Sequence, residues 1–224
     1  MKKAICIAAL AAVLAAGLTF AGCNSDENFV SGDYSADGAE VDSIAVDVSD
    51  REVTISPSAD ADVHVSYYES EKEHYAIDLS GEGVLSITLE TDKDWTDYIG
   101  TKPSDSYRKL NISVPEGILH DLTVKTTNEN VKVSYIDVAG TMSLDSNGGD
   151  IVLESVSAKS VDVRAKNGNI GGTLTGSVTD YTITCEYKKG DCNLSDRTGG
   201  EKTLYLSCNN GDISVFFTDD AQAA

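Results

Sequence analysis

Leu204-Tyr205-Leu206-Ser207-Cys208-Asn209-Asn210-Gly211-Asp212-Ile213 is the stretch whose pattern sets the fold. Its skeleton is apolar-x-apolar-x-small, then an Asn/Gly/Asp corner, then an apolar residue. The skeleton recurs from Leu122 to Val131, from Met142 to Ile151 and from Val161 to Ile170. A looser copy begins at Tyr181 and reaches Gly190-Asp191-Cys192 after two extra residues. The anchors Leu122, Met142 and Val161 are 20 and 19 residues apart, and the 43 residues from Val161 to Leu204 hold two further units. A period near twenty marks a repeat architecture in which each unit stacks only on its neighbours.

If each copy is one coil of a parallel β-solenoid, strand alternation sends Leu204, Leu206 and Cys208 inward and Tyr205 and Ser207 outward. The third inward position is then Thr126, Ser146, Ala165, Cys185 and Cys208, all small, as a pinched corner requires. The next inward position is Val131, Ile151, Ile170, Cys192 and Ile213. Between them, Gly supplies backbone freedom and Asn or Asp bonds the backbone of a sharp turn. In register, the Asn side chains can also bond up and down the stack. Asn-Gly between alternating strands is equally a hairpin signal, so an antiparallel β-sandwich of hairpins is the alternative. The recurrence of one size class at each inward position favours the solenoid.

Upstream of the repeats the period is two at Ile44 to Val48, Val53 to Ile55, Val63 to Tyr67 and Val84 to Leu89, with turn clusters between. No window after the N-terminus has a helical period, so the chain is all-β. The expected organisation is a signal peptide over 1–22, an acidic flexible tether over 23–40, an N-terminal β-strand region acting as a cap over 41–120, solenoid repeats over 121–218 and a disordered tail over 219–224. Thr91 to Arg108 breaks the regularity with Trp95, Tyr98 and Tyr107 among acidic residues. It reads either as a cover over a sheet edge or as a binding surface.

Lys2 and Lys3 precede an apolar, Ala-rich run from Ile5 to Leu18, shorter than the ~20 residues a membrane span needs. Phe20-Ala21-Gly22-Cys23 resembles the bacterial lipobox, which implies cleavage before Cys23 and lipidation of its thiol. Lys and Arg number 17 against 37 Asp and Glu, a net charge of −20. That balance excludes nucleic-acid binding, which needs cations facing phosphates. Beyond Cys6 and Cys23 lie Cys185, Cys192 and Cys208, an odd set that allows at most one internal disulfide. Aligned as above, Cys185 and Cys208 face each other on adjacent coils, either as a disulfide or as two buried thiols.

The runs Ser146 to Ile151, Lys166 to Ile170 and Asn209 to Ile213, with Leu110 to Gly117 upstream, resemble a bacterial β-strand-repeat family of unknown function labelled putative adhesin. The resemblance covers roughly residues 41–217. It implies a right-handed β-solenoid displayed outside the cytoplasmic membrane, and it implies no activity.

Catalytic chemistry finds little footing. His64, His74 and His120 stand without a nucleophile motif, and no G-x-S-x-G elbow occurs. The corner carboxylates Glu129, Asp150, Asp191 and Asp212 raise calcium as a minor alternative, but turn formation explains them without an ion, and no cofactor is expected. The expectation is a lipid-anchored, surface-displayed binding or adhesion module without catalysis, held at the membrane through Cys23 and facing a protein or glycan ligand. The alternative is a regulatory component of the envelope that binds a membrane protein or a cationic peptide.

Overall fold

A computed structural model describes residues 28–93 and 102–220. Among them run fifteen strands: β1 (Val30–Asp37), β2 (Ser43–Asp47), β3 (Glu52–Pro57), β4 (Asp62–Glu69), β5 (Glu73–Leu79), β6 (Val84–Thr91), β7 (Lys109–Val114), β8 (Asp121–Thr126), β9 (Val131–Ser134), β10 (Asp137–Ser146), β11 (Ile151–Asn167), β12 (Ile170–Leu174), β13 (Tyr181–Lys189), β14 (Lys202–Asn210) and β15 (Ile213–Phe217). The helical content described is three single 3-10 turns.

The strands form two walls. The first runs β5-β6-β2-β8-β10-β11-β14-β13, and the second β1-β4-β7-β3-β9-β11-β12-β15. Strand β11 serves both. Its start pairs with β9 and β12, and its later part with β10 and β14. It bends near Ser155, which sits at φ 50°. Pairing along the stack is parallel; among the named strands it is antiparallel where β5 meets β6, β4 meets β7 and β1 meets β4, and Arg197 adds a single antiparallel bridge to Ile183. The repeats therefore form a solenoid-like stack, and the sandwich of hairpins is ruled out for them.

The inward positions align as the repeat pattern requires. Leu122, Met142, Val161 and Leu204 share one register across the first wall. Val131, Ile151, Ile170 and Ile213 share another across the second. All eight are essentially inaccessible to solvent. Each such burial is worth about 1.5–3 kcal/mol, and rows of them offset the entropy of fixing the coils.

The order of coils departs from the order of the chain at both ends. The coil β6/β7 lies outside β2/β3, because β2 pairs with both β6 and β8 and β3 with both β7 and β9. At the far end β14 inserts between β11 and β13, so the last coil of the chain is the second from the end of the stack. Residues near each end of the repeat region are thereby paired on both sides. The expected boundary near residue 120 is not a break, since the walls pass through it, and the antiparallel cap is confined to β1, β4 and β5.

Three expectations need correction. The tether expected over 23–40 is strand from Val30 to Asp37, paired along its length with Asp62–Glu69; residues 23–27 and the signal peptide lie outside the described residues. Its alternation lays the half-buried side chains of Tyr34 and Ala36 against the end of the core. The tail expected from residue 219 is not free at its start, because Asp220 accepts hydrogen bonds from the Ser177 hydroxyl and the Val178 N–H. Cys185 does not face Cys208. It lies opposite Leu206, while Tyr187 lies opposite Cys208. The physical anchor of that coil is Ile183, paired with Leu204, rather than Tyr181. From Ile183 to Cys192 the copy then needs no extra residues, and the two surplus positions fall before it.

Candidate functional site

Three features compete for function: the corners, the outer face of the first wall, and the insert end. The corners come first because their sequence is the most regular. A side chain on each coil accepts the backbone N–H of the next. Asn130 Oδ1 accepts from Asp150, Asp150 from Asn169, Asn169 from Asp212 and Asp212 from Asp191, at 2.7–2.9 Å. A second ladder joins Asn210 Nδ2 to Asn167 Oδ1 at 2.7 Å and Asn167 Nδ2 to the Asn147 carbonyl at 3.0 Å. The glycine between them is set by close approach: a Cβ on Gly168 would sit 2.2 Å from the Gly149 carbonyl oxygen. The small residues at the pinch close the corner from inside. Thr126 donates to the Arg51 carbonyl, Ser146 to that of Glu129, and the Cys208 thiol to those of Gly168 and Gly211.

Asp150 and Asp212 therefore do the same work as Asn130 and Asn169, accepting a neighbour's N–H. Asp191 closes this ladder, and Glu129 turns away to meet Arg108. Among the described residues no group of three or more acidic, His or Cys side chains is placed to hold a metal ion.

The outward rows of the first wall are flat and chemically varied. One row reads Ala45, Thr123, Ser143, Asp162, Tyr205 and Thr184 across the strands. The next reads Asp47, Lys125, Asp145, Arg164, Ser207 and Glu186, in which acid and base alternate on neighbouring strands from Asp47 to Arg164. Such cross-strand pairs each contribute roughly 0.2–1 kcal/mol. Arg164 grips Asp162 through two hydrogen bonds of 2.8 and 2.9 Å and lies 4.7 Å over the Tyr205 ring. The Tyr205 hydroxyl donates to Glu186 at 2.8 Å. These contacts fix the long side chains in advance, which lowers the entropy cost of binding.

The insert end is described at residues 92–93 and 102–108. Strand β6 ends at Thr91 and β7 begins at Lys109, β6 beside β2 in the first wall and β7 beside β3 in the second. Lys102 reaches Asp50 at 3.2 Å, and Asn128 donates to Asp50 at 2.7 Å. Burial raises the Asp50 carboxyl, but the hydrogen bonds from Asn128 and Lys102 outweigh it and hold the group below the usual Asp range. Arg108 ties Asp105 and Glu129 together. Beneath, Arg51 is fully buried and donates to Glu73 at 2.7 Å, while Lys93 meets the other Glu73 oxygen at 2.6 Å. Tyr75 lies beside Arg51, its phenol pushed up to about 12 chiefly by burial. Tyr107 stacks on Phe29 at 5.1 Å and meets Tyr68 edge-on at 5.5 Å. Tyr107 remains exposed beside these rings; Trp95 and Tyr98 lie outside the described residues.

Arg51 and Glu73 were not singled out from sequence, yet strand parity carried the signal. Arg51 shares its inward parity with Val53 and Ile55, and Glu73 shares its own with Tyr75. The histidines are surface partners of carboxylates: His64 with Asp60, His74 with Glu90 and His120 with Asp121, at 2.8–3.1 Å. Asp121 raises the His120 pKa through its hydrogen bond. Ser43, near this last pair, donates its hydroxyl to Asp42 instead of to a histidine. One concavity is an open groove lined by Gly38, Glu40, Asp42, Glu82 and Ile118.

This chain belongs to the Toastrack DUF4097 family, whose pattern it matches over residues 41–224. It is similar in fold to a putative cell adhesion protein from Clostridium sporogenes, with 14% identity, a TM-score of 0.58, and coverage of 86% of this chain and 100% of that one. A putative adhesin from Bacteroides fragilis aligns at 12% identity with a TM-score of 0.46, covering 85% of this chain and 97% of that one. No curated protein sequence matches the chain.

Proposed function

We propose that this Toastrack protein is an exported, lipid-anchored, non-catalytic module that binds a protein or glycan ligand through the outer face of its first wall. The observation that carries the reading is the pre-ordered network of Asp162, Arg164, Tyr205 and Glu186 on that face. An aromatic ring and a guanidinium on a rigid sheet are the residue types that dominate binding energy at protein surfaces. The anchoring part rests on Phe20-Ala21-Gly22-Cys23, which supplies a lipobox-like cysteine after an apolar run. The adhesion role named for the Clostridium sporogenes protein enters here as part of the proposal. The coils are taken as right-handed, following the general rule for parallel crossovers.

A second reading is favoured by the net charge of −20, which suits a regulatory envelope component that binds a cationic peptide or the basic loops of a membrane protein. The two separate in one experiment. Beads carrying the full-length chain are retained on an immobilised matrix glycoprotein and, separately, on polylysine. Adhesion through the face predicts that Arg164→Ala with Tyr205→Ala cuts glycoprotein retention about tenfold, the equivalent of ~1.4 kcal/mol, while Lys132→Ala on the other wall changes nothing. Equal retention of all variants contradicts the face assignment. Retention on polylysine alone, abolished by salt, selects the regulatory reading. Loss of membrane association in a Cys23→Ala variant is the expected outcome for the anchor.

A further inference from the structure

The three cysteines of the repeats have different surroundings. Cys208 is buried at the pinch of its coil, and its thiol donates to two corner carbonyls. Cys185 and Cys192 belong to the outermost coil, which has a neighbour on one side only. There Cys185 takes the inward place held one coil deeper by Leu206, and Cys192 the place held by Ile213. These places lie on the two walls on either side of one corner, both side chains pack against the end of the core, and the Cys192 thiol, which donates to the Leu194 carbonyl at 3.4 Å, is near enough to act on the Cys185 thiol. Both are half-buried, so two small side chains stand where the core meets solvent.

The chain after Cys192 returns over this same end. The Cys185 N–H donates to Asp196 Oδ1 at 2.9 Å, and Arg197 exchanges two backbone hydrogen bonds with Ile183. The edge of β13 is covered by this return, and Cys192 is its first inward side chain. Burial pushes the Cys185 thiol up to about 12, the reverse of the depression that marks catalytic dithiols. A structural role suits such a thiol better than a redox-catalytic one.

We infer that Cys185 and Cys192 form a structural disulfide that staples the two walls across the C-terminal mouth of the stack, leaving Cys208 as a free buried thiol. Two S–H bonds break and one S–S bond forms. Two protons and two electrons pass to a disulfide-bearing oxidant of the exported compartment, or to oxidised glutathione in vitro, whose S–S bond breaks to give two thiols. The bridge closes a short loop containing Tyr187 and Gly190, and the outer coil is free to make the small approach that bridging geometry demands.

The test uses the full-length chain equilibrated with oxidised glutathione, alkylated without reduction and digested with trypsin. Lys188 and Lys189 lie between the two cysteines, so cleavage there separates them unless they are bridged. The expected result is a joined peptide pair lighter by two hydrogens than the sum of its reduced halves, with Cys208 alkylated only after unfolding. The oxidised protein should also melt several degrees above the reduced one, and a Cys185→Ser variant should lose that difference. Alkylation of both Cys185 and Cys192, or a bridge from either to Cys208, overturns the inference.

Discussion

The middle of the stack and its ends are built on different rules. From β8 to β12 the coils follow one another in chain order, each turned by a corner that carries Asn and each bonded to the last by the same side-chain ladder. At the ends the order inverts, and at one of them charge enters the interior as Arg51, Glu73 and Lys93. A middle coil has neighbours on both sides and needs only a pattern that repeats. An end coil must also satisfy strand edges that no further coil will cover. Antiparallel strands do this at one end, and the return of Asp196 and Arg197 over β13 does it at the other.

Substitutions at the two regions should separate these rules. The largest effect is expected at the insert end. Arg51→Ala leaves Glu73 buried with Lys93 as its remaining ion partner and opens a cavity, and should cost about 3 kcal/mol or more in urea unfolding. A cost under about 1 kcal/mol would mean that the buried charges are incidental. In the middle, Gly168→Ala drives a Cβ against the Gly149 carbonyl and should cost about 1–3 kcal/mol, whereas Gly81→Ala, with open space around its Cβ, should be neutral in the same assay. Equal responses from the two glycines would remove close coil approach as the reason for the motif.

The ladder gives a smaller and more discriminating effect. Asp212→Ala frees the Asp191 N–H and should cost about 0.5–1.5 kcal/mol. Asp212→Asn keeps an acceptor in place and should be near neutral. Added calcium should shift the melting temperature of neither the wild type nor the Asn variant. A calcium-dependent rise in the wild type that Asp212→Asn removes would return the corner to the status of an ion site.

The middle of the molecule was legible in sequence because one physical demand is repeated there. Inward apolar positions, a small residue at the pinch and a polar corner recur often enough for each copy to calibrate the next. Only the copy beginning at Tyr181 was misaligned. Anchoring it at the aromatic residue instead of Ile183 shifted Cys185 by one inward place, and with it the expected cysteine partner. The ends were less legible. Nothing in a period near twenty tells which face of a coil the next coil will join, so β14 lying between β11 and β13 had no local signal. Strand β1 is polar enough to read as a tether, since its partly buried residues include only Tyr34 and Ala36 as side chains of any apolar size. Of the binding surface, Tyr205 was placed outward from alternation, but its engagement by Arg164 and Glu186 depends on which strands become neighbours.

That neighbour relation is the centre of the account, because it fixes the outer face, the ladder and the cysteine pairing together. Paired cysteine substitutions test it directly. The Thr203 hydroxyl donates to Ser160 across β11 and β14 at 2.9 Å, whereas Thr182 lies one strand further out. Under mild oxidation, Ser160→Cys with Thr203→Cys should cross-link nearly to completion, and Ser160→Cys with Thr182→Cys should not, as read by peptide mass mapping. A cross-link from position 160 to 182 in place of 203 would mean that the coils stack in chain order, and would contradict the account.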